Sequence, residues 1–322
     1  MNPRKSLLLY LLVVFCLGLI LFLFLILRNL QFSFNSDKTA SEARQFSFRT
    51  EIVSVNTFYK NQQYEQALSL LSRFDDHDLN PGQKHAADMM RAACHKALGL
   101  YTTALEDVER AARAKETSFS HFLKGLILEA SGSEVNALGA FQDALRLDAE
   151  YAPAQERVGD IHFRSGNYEK AYTAYASRKN SERPLSDSAL LKQAVCRYFL
   201  GQDAEAGRLS GVYLAKAKNQ KDMEVAYLIR ALSFSAQGQT REAEEAHEKA
   251  IAVAQVGSRA FLKYYYALHL LRQKNYPQAV KLLEEIAFVD GDRNAVANYT
   301  LGQIFFRSQD FEKSLRYFDR NR

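Results

Sequence analysis

Tryptophan is absent from this chain, and its 322 residues include only 5 prolines, 15 glycines and 3 cysteines. So few breakers of regular structure predict long elements joined by short turns. The cysteines, Cys16, Cys94 and Cys196, form no Cys-x-x-Cys pair, so a thiol metal or redox motif is missing. A block of Lys and Arg is missing too. The net charge of +5 is spread along the chain, which gives no reason to expect nucleic acid as a partner. Gly-x-Ser-x-Gly, the P-loop Gly-Lys-Ser/Thr and His-Glu-x-x-His are all lacking, so no catalytic, metal or cofactor site is expected. The 7 histidines are scattered; His95 and His162 read as aromatic-sized fillers with one hydrogen bond. The acidic run Glu242, Glu244, Glu245 and Glu248 reads as a solvated helix face.

What the N-terminus has is apolar length. Leu7 to Leu27 is an uncharged run of 21 residues. As a helix it is about 31 Å long, which matches the hydrocarbon thickness of a bilayer. A cleaved signal peptide has a shorter apolar core followed by a small-x-small site, and Arg28, Asn29, Leu30, Gln31 and Phe32 follow here. Residues 1–30 therefore read as a single-pass signal-anchor and 31–47 as a linker. Arg4, Lys5 and the terminal amine lean toward a cytoplasmic N-terminus, nearly balanced by Arg28, Lys38 and Arg44. That lean puts the large domain across the membrane, the periplasm in a Gram-negative-type cell.

From Phe48 onward the chain repeats. One six-residue segment recurs as Gln62 to Ala67, Gly99 to Ala104, Gly132 to Ala137 and Gly166 to Ala171. It continues as Gly201 to Ala206, Gly238 to Ala243, Lys274 to Ala279 and Gln309 to Ser314. In register, the repeats begin near Phe48, His85, Ser118, Ala152, Asp187, Glu224, Ala260 and Ala295, spaced by 33 to 37 residues. Each repeat has a small residue in its first half: Gly125, Gly159 and Gly302, or Ala92, Ala194, Ala231 and Ala267, with Val55 the one larger choice. Each has Ala or Ser in its second half, and six of the eight have a bulky side chain four places on: Leu71, Val108, Phe141, Tyr175, Leu283 and Phe318. Apolar spacing of three and four within each half fits amphipathic helices.

This pattern resembles the tetratricopeptide-repeat family over nearly all of residues 48–322. The resemblance implies an all-α fold, a right-handed α-solenoid of about eight helix-turn-helix repeats. The first repeat, without either glycine, would be an atypical cap. Ser210 and His247, at the bulky place, predict looser pairs in the fifth and sixth repeats. At the C-terminus, Leu315, Tyr317 and Phe318 would face an open end, a possible edge for self-association.

In that family the first helix of each pair lines a concave face. The resemblance then assigns to that face Phe119, Phe122 and Leu126; Leu191, Val195 and Tyr198; Leu228 and Leu232; Phe261, Tyr264 and Leu268; and Tyr299 and Phe306. Such a groove suits an apolar helix or extended peptide of another protein. Some relatives clamp a chaperone's C-terminal carboxylates, but the clamp places here hold Ile52, Asn56, Met90, Phe119 and Leu123, and only Asn56 fits. The expected function is a non-enzymatic scaffold held to the lipid bilayer by its N-terminal helix, in a cell-envelope assembly such as secretion, polysaccharide export or envelope biogenesis. The alternative is a holdase that carries apolar client segments at the membrane.

Overall fold

The computed structural model describes residues 48–74, 79–177, 186–217, 219–289 and 292–320. The expected anchor Leu7 to Leu27 and the linker over 31–47 lie outside them. Among the described residues no helix is long and apolar enough to cross a membrane.

The chain divides into two compact units, one ending at Ser133 and the other beginning at Glu134. The first unit contains α1 (48–60) paired with α2 (Tyr64–Leu71), α3 (Pro81–Ala97) paired with α4 (Tyr101–Ala114), and α5 (Ser118–Ala130). The second begins with α6 (Glu134–Leu147). Its pairs are α7 (Ala152–Arg164) with α8 (Tyr168–Ala176), α9 (Asp187–Phe199) with α10 (Asp203–Leu214), and α11 (Gln220–Ala236) with α12 (Thr240–Val253). They continue as α13 (Val256–Arg272) with α14 (Tyr276–Ala287), and α15 (Ala295–Arg307) with α16 (Phe311–Asp319). The strands among the described residues are β1 (Phe288–Val289) and β2 (Asp292–Arg293), an antiparallel pair between α14 and α15. Within each unit, successive helices from α2 onward contact one another, and first helices also touch: α3 meets α5, α7 meets α9, and α9 meets α11.

Three first helices start one turn before the expected boundary: α3 at Pro81 rather than His85, α11 at Gln220 rather than Glu224, and α13 at Val256 rather than Ala260. At α3 the cause is local. The Asn80 side chain accepts from the Gln83 amide (2.9 Å), the Gln83 side chain accepts from the Asn80 amide (3.0 Å), and Pro81 fills the first helical position. At α11 the Asn219 side chain accepts from the Lys221 amide (3.1 Å).

The tight turn inside each pair has one mechanism. At Gly99 (φ +77°) the backbone turns left-handed, so that Gly99 N donates to Lys96 O (3.1 Å) and Leu100 N to His95 O (2.9 Å). Gln62, Lys274 and Gln309 adopt the same conformation, with φ between 60° and 64°, although they carry side chains.

The repeating alanines are the seam. Ala67, Ala104, Ala137, Ala171, Ala206, Ala243 and Ala279 are fully buried. Ser314, in the last pair, is buried and donates its hydroxyl to Gly302 O (3.0 Å). The bulky place of the second helix comes sixteen residues after the small place of the first, and in several pairs the two sizes are complementary. Gly159 accommodates Tyr175 and Gly302 accommodates Phe318. Where Ala92 and Ala267 stand, the residues opposite in register are the smaller Val108 and Leu283.

Two expectations are corrected here. At Ser210 and His247 other groups fill the space. Ser210 is buried, its hydroxyl donating to Gly207 O (2.9 Å), and Tyr213 one turn later is buried against Leu191 and Ala226. The His247 ring is buried and stacks on Tyr266, with centroids 5.1 Å apart. At the last pair Tyr317 does not face outward. It is buried, stacks on Phe305 and donates its hydroxyl to Glu284 (2.8 Å). Phe318 turns onto Gly302, whereas Leu315 and Phe311 remain exposed.

Candidate functional site

In each unit by itself, the candidate site is a set of side chains on first helices that stay wholly or partly exposed. In the first unit it comprises Phe119, exposed, and Phe122 and Leu126, half-buried, all on α5. An N-terminal cap holds this helix: the Thr117 hydroxyl oxygen accepts from the Ser120 amide (3.0 Å).

In the second unit α9 presents Val195 and Tyr198, both half-buried. Leu191, expected beside them, is 7% exposed and belongs to the core. The reason is Tyr213 of α10, a large ring that covers it together with Ala226. On α11, Leu228 and Leu232 are half-buried. On α13, Phe261 is 53% exposed and lies 4.7 Å from the Tyr265 ring, while Tyr264 and Leu268 are half-buried. On α15, Tyr299 and Phe306 are 53% and 58% exposed, propped by Phe318 and Phe311 respectively. Phe261, Tyr299 and Phe306 thus leave large aromatic side chains in water on the successive first helices α13 and α15, at three different register places.

Sequence reasoning missed several members. Val225 and Val296 are exposed at the register place of Phe119 and Phe261, one residue after the repeat start, so the signal was available. Phe199 is 56% exposed and stacks on Tyr168 at 4.5 Å, the planes 8° apart. Its partner comes from the preceding repeat, which no spacing within one repeat reveals.

Electrostatics is subdued. Burial raises the Tyr198 hydroxyl pKa, with smaller contributions from Asp203 and from Tyr265, two repeats along, so that this phenol stays a neutral donor. Asp160 accepts from the Tyr175 hydroxyl (2.7 Å) and from Lys192 (2.6 Å), which ties α7, α8 and α9 together. In the first unit His95 Nδ1 donates to Asp107 (2.6 Å), a carboxylate also held by Arg110, so the ring carries a hydrogen bond as expected of a filler. Cys94 and Cys196 are free and buried, and burial pushes their thiols up to about 11 and about 12, which keeps them protonated and unreactive. Among the described residues no group of His, Cys, Asp and Glu is placed to hold a metal ion. The arrangement offers apolar and aromatic contact, with hydroxyl donors at its margin.

Comparison with known proteins gives the same architecture. In fold, the chain is similar to the C-terminal part of a TPR repeat-containing protein from Cytophaga hutchinsonii (20% identity, TM-score 0.58, covering 77% of this chain and 96% of that one). It is similar to a tetratricopeptide repeat protein from Parabacteroides merdae (18% identity, TM-score 0.52, 74% and 93%). It is similar also to YrrB, described as a TPR protein with an unusual peptide-binding site (16% identity, TM-score 0.52, 60% and 96%). No curated protein matches the sequence. The family model for the tetratricopeptide repeat matches residues 122–182, 230–292 and 266–320. Those segments match the tetratricopeptide repeat in sequence, and the fold is similar to that of solved tetratricopeptide-repeat proteins.

Proposed function

We propose that the chain is a non-enzymatic scaffold, tethered to a membrane by Leu7 to Leu27, that recruits other proteins through the exposed face of its first helices. The observation that carries this reading is the run Phe261, Tyr299 and Phe306: large aromatic side chains, more than half exposed, on two consecutive first helices. Folding alone gives no reason to keep them in water, and burying them against a partner recovers about 25 cal/mol for each Å² of apolar surface. The peptide-binding site in the description of YrrB is in keeping with such a use of this fold.

The tether is supported by the charge-free length of the N-terminal run, which matches a bilayer. Holding the repeats at one surface raises the effective concentration of partners there and strengthens weak contacts. The role we assign is recruitment within a cell-envelope assembly, with the repeat domain on the side opposite the cytoplasm. Leu315 and Phe311, exposed on α16, offer an edge for self-association.

A photo-crosslinking residue at Phe261, with a control at the exposed Val135 on α6, tests the reading in intact membranes. Mass spectrometry should find one dominant partner from position 261 and none from 135. Many unrelated clients from 261 would instead indicate the holdase, and identical products from both positions would refute recruitment by this face. Protease added outside intact cells tests the placement: digestion of the repeats only after the outer barrier is opened is the expected result.

A further inference from the structure

A cleft of about 680 Å³ opens between the seventh and eighth helix pairs, inside the second unit. Its apolar wall is made by Leu271 at the end of α13, by Tyr276, Pro277 and Val280 on α14, and by Ile304 and Phe305 on α15. Its size lies within the range of known ligand clefts, roughly 300–1,000 Å³.

Small side chains form part of the cleft lining. Thr300 on α15 occupies the register place that Tyr265 holds on α13, and Ser308 occupies the place of Gln273. Two large side chains of one repeat are thus replaced by two small ones in the next. Both small hydroxyls turn back on their own helix: Thr300 donates to Val296 O (2.8 Å) and Ser308 to Phe305 O (3.0 Å). Their hydrogen bonds are satisfied, so these two hydroxyls make few demands on a ligand.

One charge lines the cleft. Arg307 is exposed and has no ion-pair partner among the described residues. No acidic residue lines the wall. Arg164, at the same register place on α7, differs: its guanidinium is held by Glu134 at 2.6 Å. A guanidinium beside an apolar cleft, with no carboxylate of its own, complements an incoming carboxylate.

We infer that this cleft is a second peptide site, which takes a bulky apolar side chain whose neighbouring Asp or Glu pairs with Arg307. This rests on the reading of the chain as a protein-binding scaffold, but it uses different residues from the exposed face of the first helices. The cleft supplies contact area, and the single guanidinium sets which end of the segment lies at the opening.

The test is selection of a phage-displayed library of random short peptides on the detergent-solubilised full chain. Peptides recovered should share a bulky apolar residue next to Asp or Glu. A synthetic consensus peptide, followed by fluorescence anisotropy, should bind about tenfold or more weakly to Arg307→Glu and to Thr300→Tyr, and equally well to Phe261→Asp. Thr300→Tyr puts a large ring into the cleft lining; Arg307→Glu changes only an exposed side chain and so guards against loss of folding. Selected peptides without an acid, or binding that Arg307→Glu leaves intact, would overturn the inference. Binding lost only in Phe261→Asp would overturn the cleft while supporting recruitment by the first helices. Failure to select any peptide would count against both.

Discussion

The ring of Phe318 occupies the space that a side chain at Gly302 would need: a Cβ there would stand 2.6 Å from Cε1. The same relation joins Gly159 to Tyr175, whose ring a Cβ at Gly159 would overlap. The glycine of the first helix is a socket for an aromatic ring of the second. Gly302→Ala should therefore destabilise the fold by about 1–3 kcal/mol, the usual cost of overpacking a tight site. Gly302→Ala combined with Phe318→Leu copies the pair Ala267 and Leu283 and should recover much of that loss. Thermal melts of the single and double variants check this; a double variant no better than the single would show that the two sizes are not coupled.

Lys274 pays for a left-handed turn that five other pairs assign to glycine, at φ +61°. Lys274→Gly should stabilise the chain by about 0.5–1 kcal/mol, because the strain of a side chain in that region outweighs the entropy glycine adds to the unfolded state. The converse, Gly99→Ala at φ +77°, should destabilise by about 1 kcal/mol although open space surrounds it. Denaturant unfolding of both variants reads the two signs.

His247 sets an acid limit. Burial, and then the neighbouring His269, push its pKa from 6.5 down to about 3. The folded state thus binds the proton less well than the unfolded state. Stability is complete above 6.5 and falls as the pH drops toward 3, by up to about 1.4 kcal/mol per pH unit from this group. His269, also lowered by burial, adds to the same trend. His247→Phe should flatten the dependence of the melting temperature on pH between 6.5 and about 4; an unchanged slope would contradict the assignment.

Leu191 and Phe261 separate core from site. Leu191→Ala should cost about 2–5 kcal/mol, as for other buried leucines, whereas Phe261→Ala should change stability by about 0.5 kcal/mol or less. Calorimetry of the two variants measures both.

Much of this was readable from the chain. The alanine phase fixed where each pair closes, because a position that must be small to let two helices touch leaves the same mark in every repeat. The glycine turns were legible for the same reason. The site was less so. Leu191, Leu228, Tyr264 and Tyr299 hold one register place, yet their exposures differ, because Tyr213 on another helix covers Leu191 alone. A side chain contributed from elsewhere decides exposure, and periodicity does not carry that information. The early start of α3 was written in Asn80 and Pro81, a cap signal that the repeat register had overshadowed. The cleft beside Arg307, with Thr300 and Ser308 in its lining, shows only once the helices are packed.

Quantitative affinity purification compares the full chain with the double variant Phe261→Asp and Tyr299→Asp, using Val135→Asp as control, from the cells that make it. Recruitment by the first helices predicts that one defined set of proteins drops out of the double variant, that the control retains it, and that both variants melt as the parent does. The same proteins recovered by all three chains would contradict it.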